Sequence, residues 1–321
     1  MNEDYLWDRS GEPDPEIVQL ERILGQLRLR KEGRSFGPGR PRAAEAGRSR
    51  IWMWAAAAVL ILGITFGVQR ILTTGPVTSW RLSLDGRRAS AVRAGQIIET
   101  HAARHATMES ESIGRVEVEP DSRLRVLSAH SNEQRFALDR GTIHALIWAP
   151  PAQFVVDTPA AKAVDLGCQY ILQVGSDGGG LLTVESGWVA FQWRSLESFI
   201  PAGAACRTHA GHGPGTPYFL DAPEKLTKAI AQFDTTKDSK ALRTALSAAR
   251  QRDALTLWHL LLRTQGTQRG EVFDRFSTLV TLPKRVERTA ILQGNPDAID
   301  AAWEALDLGP VGRWRTWKRR W

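Results

Sequence analysis

The sequence predicts an α+β multidomain chain: a short amphipathic helix, one membrane-spanning helix, an all-β roll or sandwich, and a C-terminal all-α helical stack. Three observations carry this. Residues Ile51 to Val68 read IWMWAAAAVLILGITFGV, without one ionisable side chain. From about Pro76 to Tyr218, short apolar stretches alternate with period two, and from Ala222 onward the period becomes that of a helix.

The first element lies within residues 1–32. Pro13, Asp14 and Pro15 mark a helix start, and Ile17, Leu20, Ile23, Leu24 and Leu27 follow at helical spacing. A single amphipathic helix cannot bury its own face, so Leu20, Ile23, Leu24 and Leu27 form a docking face for a partner. Residues 33–50, rich in Gly, Pro and Arg, read as a flexible basic linker.

The apolar segment extends to 51–72 if Arg70 snorkels. At about 1.5 Å per residue, Ile51–Val68 spans roughly 27 Å, close to the hydrocarbon thickness of a bilayer. Trp52 and Trp54 sit where an interfacial aromatic belt belongs. Fifty residues before the apolar core exclude a cleaved signal peptide, so the segment is an anchor. Its N-terminal flank carries Arg30, Lys31, Arg34, Arg40, Arg42, Arg48 and Arg50. The other flank carries Arg70, Arg81, Arg87 and Arg88. The bias places the N-terminus in the cytoplasm and everything after Leu72 outside it. The net charge of +7 is concentrated beside this anchor and at the chain end, so membrane contact is expected and direct nucleic-acid binding is not.

Residues 76–220 contain the strand-like stretches, among them RVEVEP, RLRVLSA, QRFALDRG, TIHALIWA, QFVVDTP, QYILQV, LLTVES and WVAFQW. Residues 221–309 predict helices near 223–233, 238–250, 253–264, 271–280, 284–293 and 296–307. Asn295 caps the last, Pro296 stands at its first turn, and Gly294 ends the helix before it. Residues 310–321 form a basic tail in which Arg313, Arg315, Lys318, Arg319 and Arg320 alternate with Trp314, Trp317 and Trp321. A tail of this kind suits a lipid headgroup layer, a polyanion or a protein partner.

No catalytic constellation emerges, and neither a metal site nor a cofactor is expected. Cys168 and Cys206 are the only cysteines; outside the cytoplasm they could form a disulfide, or be two separately buried thiols. His101 and His105, near Glu99 and Glu109, have a metal-compatible spacing but strand and loop surroundings, so they read as surface residues, and His209 and His212, set among glycines, read as loop residues. Gly178 to Gly180 after Asp177 read as a hairpin turn.

The β region resembles the FecR-like domain of bacterial transmembrane signalling proteins, named for the ferric-citrate regulator. The resemblance rests on GRVEVEP (114–120), LDRG (138–141), FVVDTP (154–159), AVDLG (163–167) and LTVESGWV (182–189), in order and register. The stretch DYLWDRSGEPDPE (4–16) is similar to the short cytoplasmic helix of anti-sigma proteins of this type. The resemblance implies a single-pass protein of the bacterial inner membrane, N-terminus cytoplasmic and C-terminal region periplasmic. Its cytoplasmic tail would regulate a sigma factor, and its exported domains would sense a signal or bind an envelope protein. The alternative is an envelope adaptor with no sigma-factor partner. Two departures stand out: Cys168 occupies a position where the family often has Thr, and a helical region replaces a short receptor-facing end.

Overall fold

The computed structural model describes residues 80–309, apart from position 195. The docking helix with Leu20, Ile23, Leu24 and Leu27, the basic linker, the predicted span at 51–72 and the tail at 310–321 lie outside those residues. Among the described residues, no helix is long and apolar enough to cross a membrane.

Sixteen strands come first. They are β1 (Arg81–Leu84), β2 (Arg87–Ala91), β3 (Ile97–Glu99), β4 (Ala106–Ser110), β5 (Gly114–Val118), β6 (Arg123–His130), β7 (Glu133–Ile147) and β8 (Phe154–Asp157). Then follow β9 (Lys162–Asp165), β10 (Gln169–Val174), β11 (Gly180–Ser186), β12 (Trp188–Trp193), β13 (Leu196–Pro201), β14 (Ala204–His209), β15 (Gly213–Pro214) and β16 (Tyr218–Phe219). Side chains alternate as a half-buried strand requires: Ala106, Met108, Val116 and Val118 point into the core, while Glu109 and Arg115 pair on the outside.

Strand β7 organises the rest. Its first half pairs with β6 and, in parallel, with β8; its second half pairs with β5 and β10. A straight strand would hold Gln134 and Ile147 about 43 Å apart at ~3.3 Å per residue. Yet Phe154 lies opposite Gln134, and the seven steps from Ile147 to Phe154 reach only about 25 Å. The strand must therefore fold over, and it does so at Gly141, where φ is 96°. A Cβ there would lie 2.1 Å from Ser122 Oγ and 2.4 Å from Ser122 Cα. Two stretches that read as separate strands in the sequence, QRFALDRG and TIHALIWA, are thus one bent strand shared by two sheets.

The bend brings Trp80, Phe136 and Phe154 together, with ring centroids 5.3 to 6.2 Å apart, and Trp80 Nε1 donates to Gln134 Oε1 at 2.9 Å. The register also defines two ends of the strand region. Arg81 opposes Glu109, Gly114 opposes Ile147, Leu146 opposes Gln169, and Gln169 opposes Ser186. The chain therefore enters at the end that carries the β4–β5 turn, Trp148 and the turns at Gly167 and Gly187. The opposite end carries the β10–β11 hairpin, closed by Gly175 N–H donating to Gly179 O at 2.8 Å with Gly178 at φ 76°. That hairpin is the turn expected of Gly178 to Gly180.

Helices follow from Glu224: α1 (Glu224–Thr236), α2 (Ser239–Ala248), a 3₁₀ turn at Gln251–Asp253, α3 (Ala254–Arg263), α4 (Gly266–Leu279), α5 (Arg288–Leu292) and α6 (Pro296–Glu304). Lys237 ends α1 in the left-handed region, and Asp238 caps α2 by accepting from Lys240 and Ala241 N–H. Asn295 caps α6 as expected, accepting from Asp297 and Ala298 N–H, with Gly294 at φ 72° before it. Two helices differ from their expected bounds by more than three residues. α4 starts at Gly266, earlier than 271, and its Gly270 is buried, where a Cβ would meet Arg288 Nη2 at 3.0 Å. α5 is confined to Arg288–Leu292 because Pro283 and Val286 close a turn before it.

Strands and helices lie in one compact unit and share a continuous buried core.

Replacing Gly141 by Ala is expected to cost about 3 kcal/mol or more, since a left-handed φ and a backbone clash coincide. Gly86→Ala, at φ 76° with nothing within 4 Å, should cost only about 1 kcal/mol. Denaturant unfolding of both variants checks the bend; equal costs would contradict it.

Candidate functional site

The residues that carry the family resemblance lie on β5, the middle of β7, β8, and the two turns β9–β10 and β11–β12. The turns stack. Gly167 has φ 85° and Gly187 φ 71°, and a Cβ on Gly187 would lie 2.0 Å from Gly167 O. Leu166 N–H donates to Trp188 O at 3.1 Å and Ile147 N–H to Cys168 O at 2.9 Å, tying the turns to each other and to β7. Asp165, almost fully buried, accepts from Gly167 N–H at 2.7 Å and from the Cys168 thiol. The thiol thus fills the hydrogen-bonding role open to a Thr hydroxyl at this position. Burial raises the Asp165 carboxyl to about 7, against the opposing pull of those two donors. Burial also pushes Cys168 and Tyr170 up, and the Tyr170 hydroxyl is buried there without a hydrogen-bond partner.

A second cluster joins the strands to the helices. β13 is an edge strand, whose outward amides need partners. Phe199 N–H donates to His259 Nε2 at 3.0 Å, and His259 Nδ1 lies 2.9 Å from Leu255 O. Nε2 must accept, so Nδ1 carries the proton and the imidazole is neutral. Burial holds His259 well below its ordinary range, and the neighbouring Arg263 adds to this. From the next turn of α3, Arg263 donates to Ser198 Oγ, to Gly215 O at 3.0 Å and to His259 O at 3.2 Å. Gly215 O also accepts from Ser198 Oγ and the Cys206 thiol. From α1, Asp234 takes Thr216 N–H at 2.6 Å and Thr216 Oγ1 at 2.7 Å. The strap between β15 and β16 is therefore held by two helices at once. Above it, Trp303 of α6 packs on Trp188, Phe199 and Trp258.

The disulfide left open by the sequence is not formed: both cysteines are free, buried thiols. Leu182 of β11 opposes Leu172 on one side and Cys206 on the other. Cys206 thus lies two strands, about 10 Å, from Leu172, and Cys168 is a further ~13 Å along β10. A disulfide needs Cα atoms within about 7 Å. Burial pushes the Cys206 thiol up to about 12, so it is a poor nucleophile. His101 and His105 are exposed, and His105 Nδ1 lies 3.4 Å from Glu119, which also meets His144 at 3.3 Å. His212 Nδ1 contacts Ala210 O in its loop. Among the described residues, no three His, Cys, Asp or Glu side chains are grouped to hold a metal. His259 and Arg263 were not anticipated; their only signal was a histidine and an arginine in the apolar run ALTLWHLLLR.

These two buried groups respond to pH in opposite senses. His259 is neutral when folded, so the folded state loses stability as pH falls below about 6.5, where the unfolded imidazole gains its proton. Asp165 is raised when folded, so its contribution is complete below pH ~3.8 and is lost as pH rises through about 7. Unfolding measured from pH 5 to 8 should show that His259→Gln costs less at pH 5 than at pH 7. Asp165→Asn should gain stability relative to the parent at pH 8 compared with pH 5, by a few kcal/mol in order of magnitude. Substitution costs that do not vary with pH would contradict both assignments.

The family model for FecR protein matches residues 96–190, a segment running from the start of β3 into β12 and containing the Gly141 bend and both stacked turns. No curated protein matches the chain. Two crystal structures of a candidate anti-sigma factor from Parabacteroides distasonis ATCC 8503, at 1.65 and 2.50 Å resolution, are similar at 15% identity and a TM-score of 0.35. Each match covers 43% of this chain, and 65% and 64% of those chains respectively, a little under two thirds of their length. Residues 96–190 match the FecR family model, and the chain is FecR-like over that segment.

Proposed function

We propose that the chain is a single-pass signalling regulator of the bacterial inner membrane. Its FecR domain and helices stand outside the cytoplasm, and its N-terminal helix regulates a sigma factor inside. The observation that carries this reading is a FecR domain following, in the same chain, an 18-residue segment without an ionisable group. The FecR match supports a regulator.

The strand–helix junction suits such a role. A partner bound on either side of β13 would act on both, because α3 supplies the hydrogen-bond partner of the Phe199 amide. In the cytoplasm, Leu20, Ile23, Leu24 and Leu27 would enter a groove on the sigma factor as the apolar face of a helix.

The test is binding of residues 1–50 to sigma factors of the extracytoplasmic-function type from the same cell, by titration calorimetry. Leu20→Asp with Leu24→Asp should weaken binding at least 30-fold, about the 2 kcal/mol that separates an interface anchor from a peripheral contact. Absence of binding by the unaltered segment would favour an envelope adaptor instead.

A further inference from the structure

The end of the strand region that carries the β10–β11 hairpin holds a groove of about 670 Å³, within the size range of small-molecule sites. Its floor is a row of residues directly opposite one another on four adjacent strands: Thr142 on β7, Gln173 on β10, Leu181 on β11 and Arg207 on β14. Opposed residues point to the same side of a sheet, so these four side chains stand together. Their chain neighbours Val174, Leu182 and Cys206 are the ones buried in the core. The hairpin forms one wall of the groove, and Thr235, in the last turn of α1, another.

Two opposite charges face this groove without meeting. Elsewhere on the strands, Arg115, Arg123, Arg125, Arg135 and Arg140 each pair with a carboxylate. Arg207, exposed at the groove, makes no ion pair among the described residues, and neither does Asp177. Asp177 is nevertheless fixed in place. Its Oδ1 accepts from Gly179 N–H at 3.0 Å, and a Cβ on Gly175 would lie 2.7 Å from the same oxygen. The carboxylate therefore rests over two hairpin positions that have no side chain. Gly179 lies two residues, about 7 Å, along β11 from Leu181, the strand partner of Arg207. Two residues beyond Arg207, His209 keeps Nε2 buried with no hydrogen-bond partner, a cost that folding alone does not require.

We propose that this groove binds a short peptide whose two termini are free. The terminal carboxylate lies against the Arg207 guanidinium, whose planar fork matches it, and the terminal ammonium lies against Asp177. Two or three extended residues, at about 3.3 Å each, bridge the separation. Gln173 and Thr142 offer an amide and a hydroxyl to the peptide groups, and Leu181 offers an apolar contact for a small side chain. The inference goes beyond the sigma-factor reading and does not depend on it. It gives the folded unit a ligand class, zwitterionic peptides, whatever residues 1–50 bind.

The experiment is calorimetric titration of the full chain, in detergent micelles, with trialanine, its N-acetyl form and its C-terminal amide. Trialanine should bind saturably, and blocking either end should weaken binding at least tenfold. Arg207→Gln should weaken trialanine to the level of the amide and leave the amide's own affinity unchanged. Asp177→Asn should do the same with respect to the acetylated form. Both substitutions are mild: Arg207 has no ion pair to lose, and Asn keeps an acceptor for Gly179 N–H. The blocked peptides test the unaltered chain directly, so the result does not rest on the variants alone. Absence of trialanine binding, equal affinity for free and blocked peptides, or variants that bind trialanine as the parent does would each overturn the proposal. None of these outcomes bears on sigma-factor binding by residues 1–50.

Discussion

The hydrogen bond from Phe199 N–H to His259 Nε2 is the constraint on which the arrangement of strands and helices depends. A strand network that does not close on itself leaves an edge, and an uncovered edge is both a stability cost and a template for unwanted pairing. Here β13 is one such edge, and α3 covers it with a side chain rather than another strand. The acceptor must be neutral, and burial keeps it so. Arg263, one turn further along the same helix, extends the seal to Ser198 and the carbonyl of Gly215. The helical region therefore completes the β region as part of the same folding unit.

The bend at Gly141 solves a different problem. A 15-residue strand can serve these two sheets only if it bends sharply, and the bend needs a residue without Cβ where Ser122 approaches. Gly167 and Gly187 repeat the device where two turns touch. These glycines belong to the motifs that make the segment recognisable as a FecR domain, so what those motifs record is backbone geometry.

Local signals in the sequence read well where the physics was local. Alternation in RVEVEP and QYILQV gives β5 and β10, Asn295 with Pro296 starts α6, and the glycines after Asp177 make the hairpin. Illegible features were those set by partners far along the chain. QRFALDRG and TIHALIWA looked like two strands because a turn residue separates them, whereas the bend is fixed by Ser122. The first turn of α4 was missed, since Gly266 and Gly270 carry no apolar side chain to mark a helical period. His259 could not be matched to an amide 60 residues away. The disulfide was undecidable from spacing, because only the order of β10, β11 and β14 shows that the thiols cannot meet.

The central claim is that the strand edge and the helices form one cooperative unit. Hydrogen exchange of the full chain in increasing denaturant measures this directly, residue by residue. The account predicts that amides of Leu196–Pro201, Phe199 among them, and amides of Ala254–Arg263 lose protection together, with one free energy and one denaturant dependence. Helices that exchange at lower denaturant while β12 and β13 stay protected would show two independent units and contradict it.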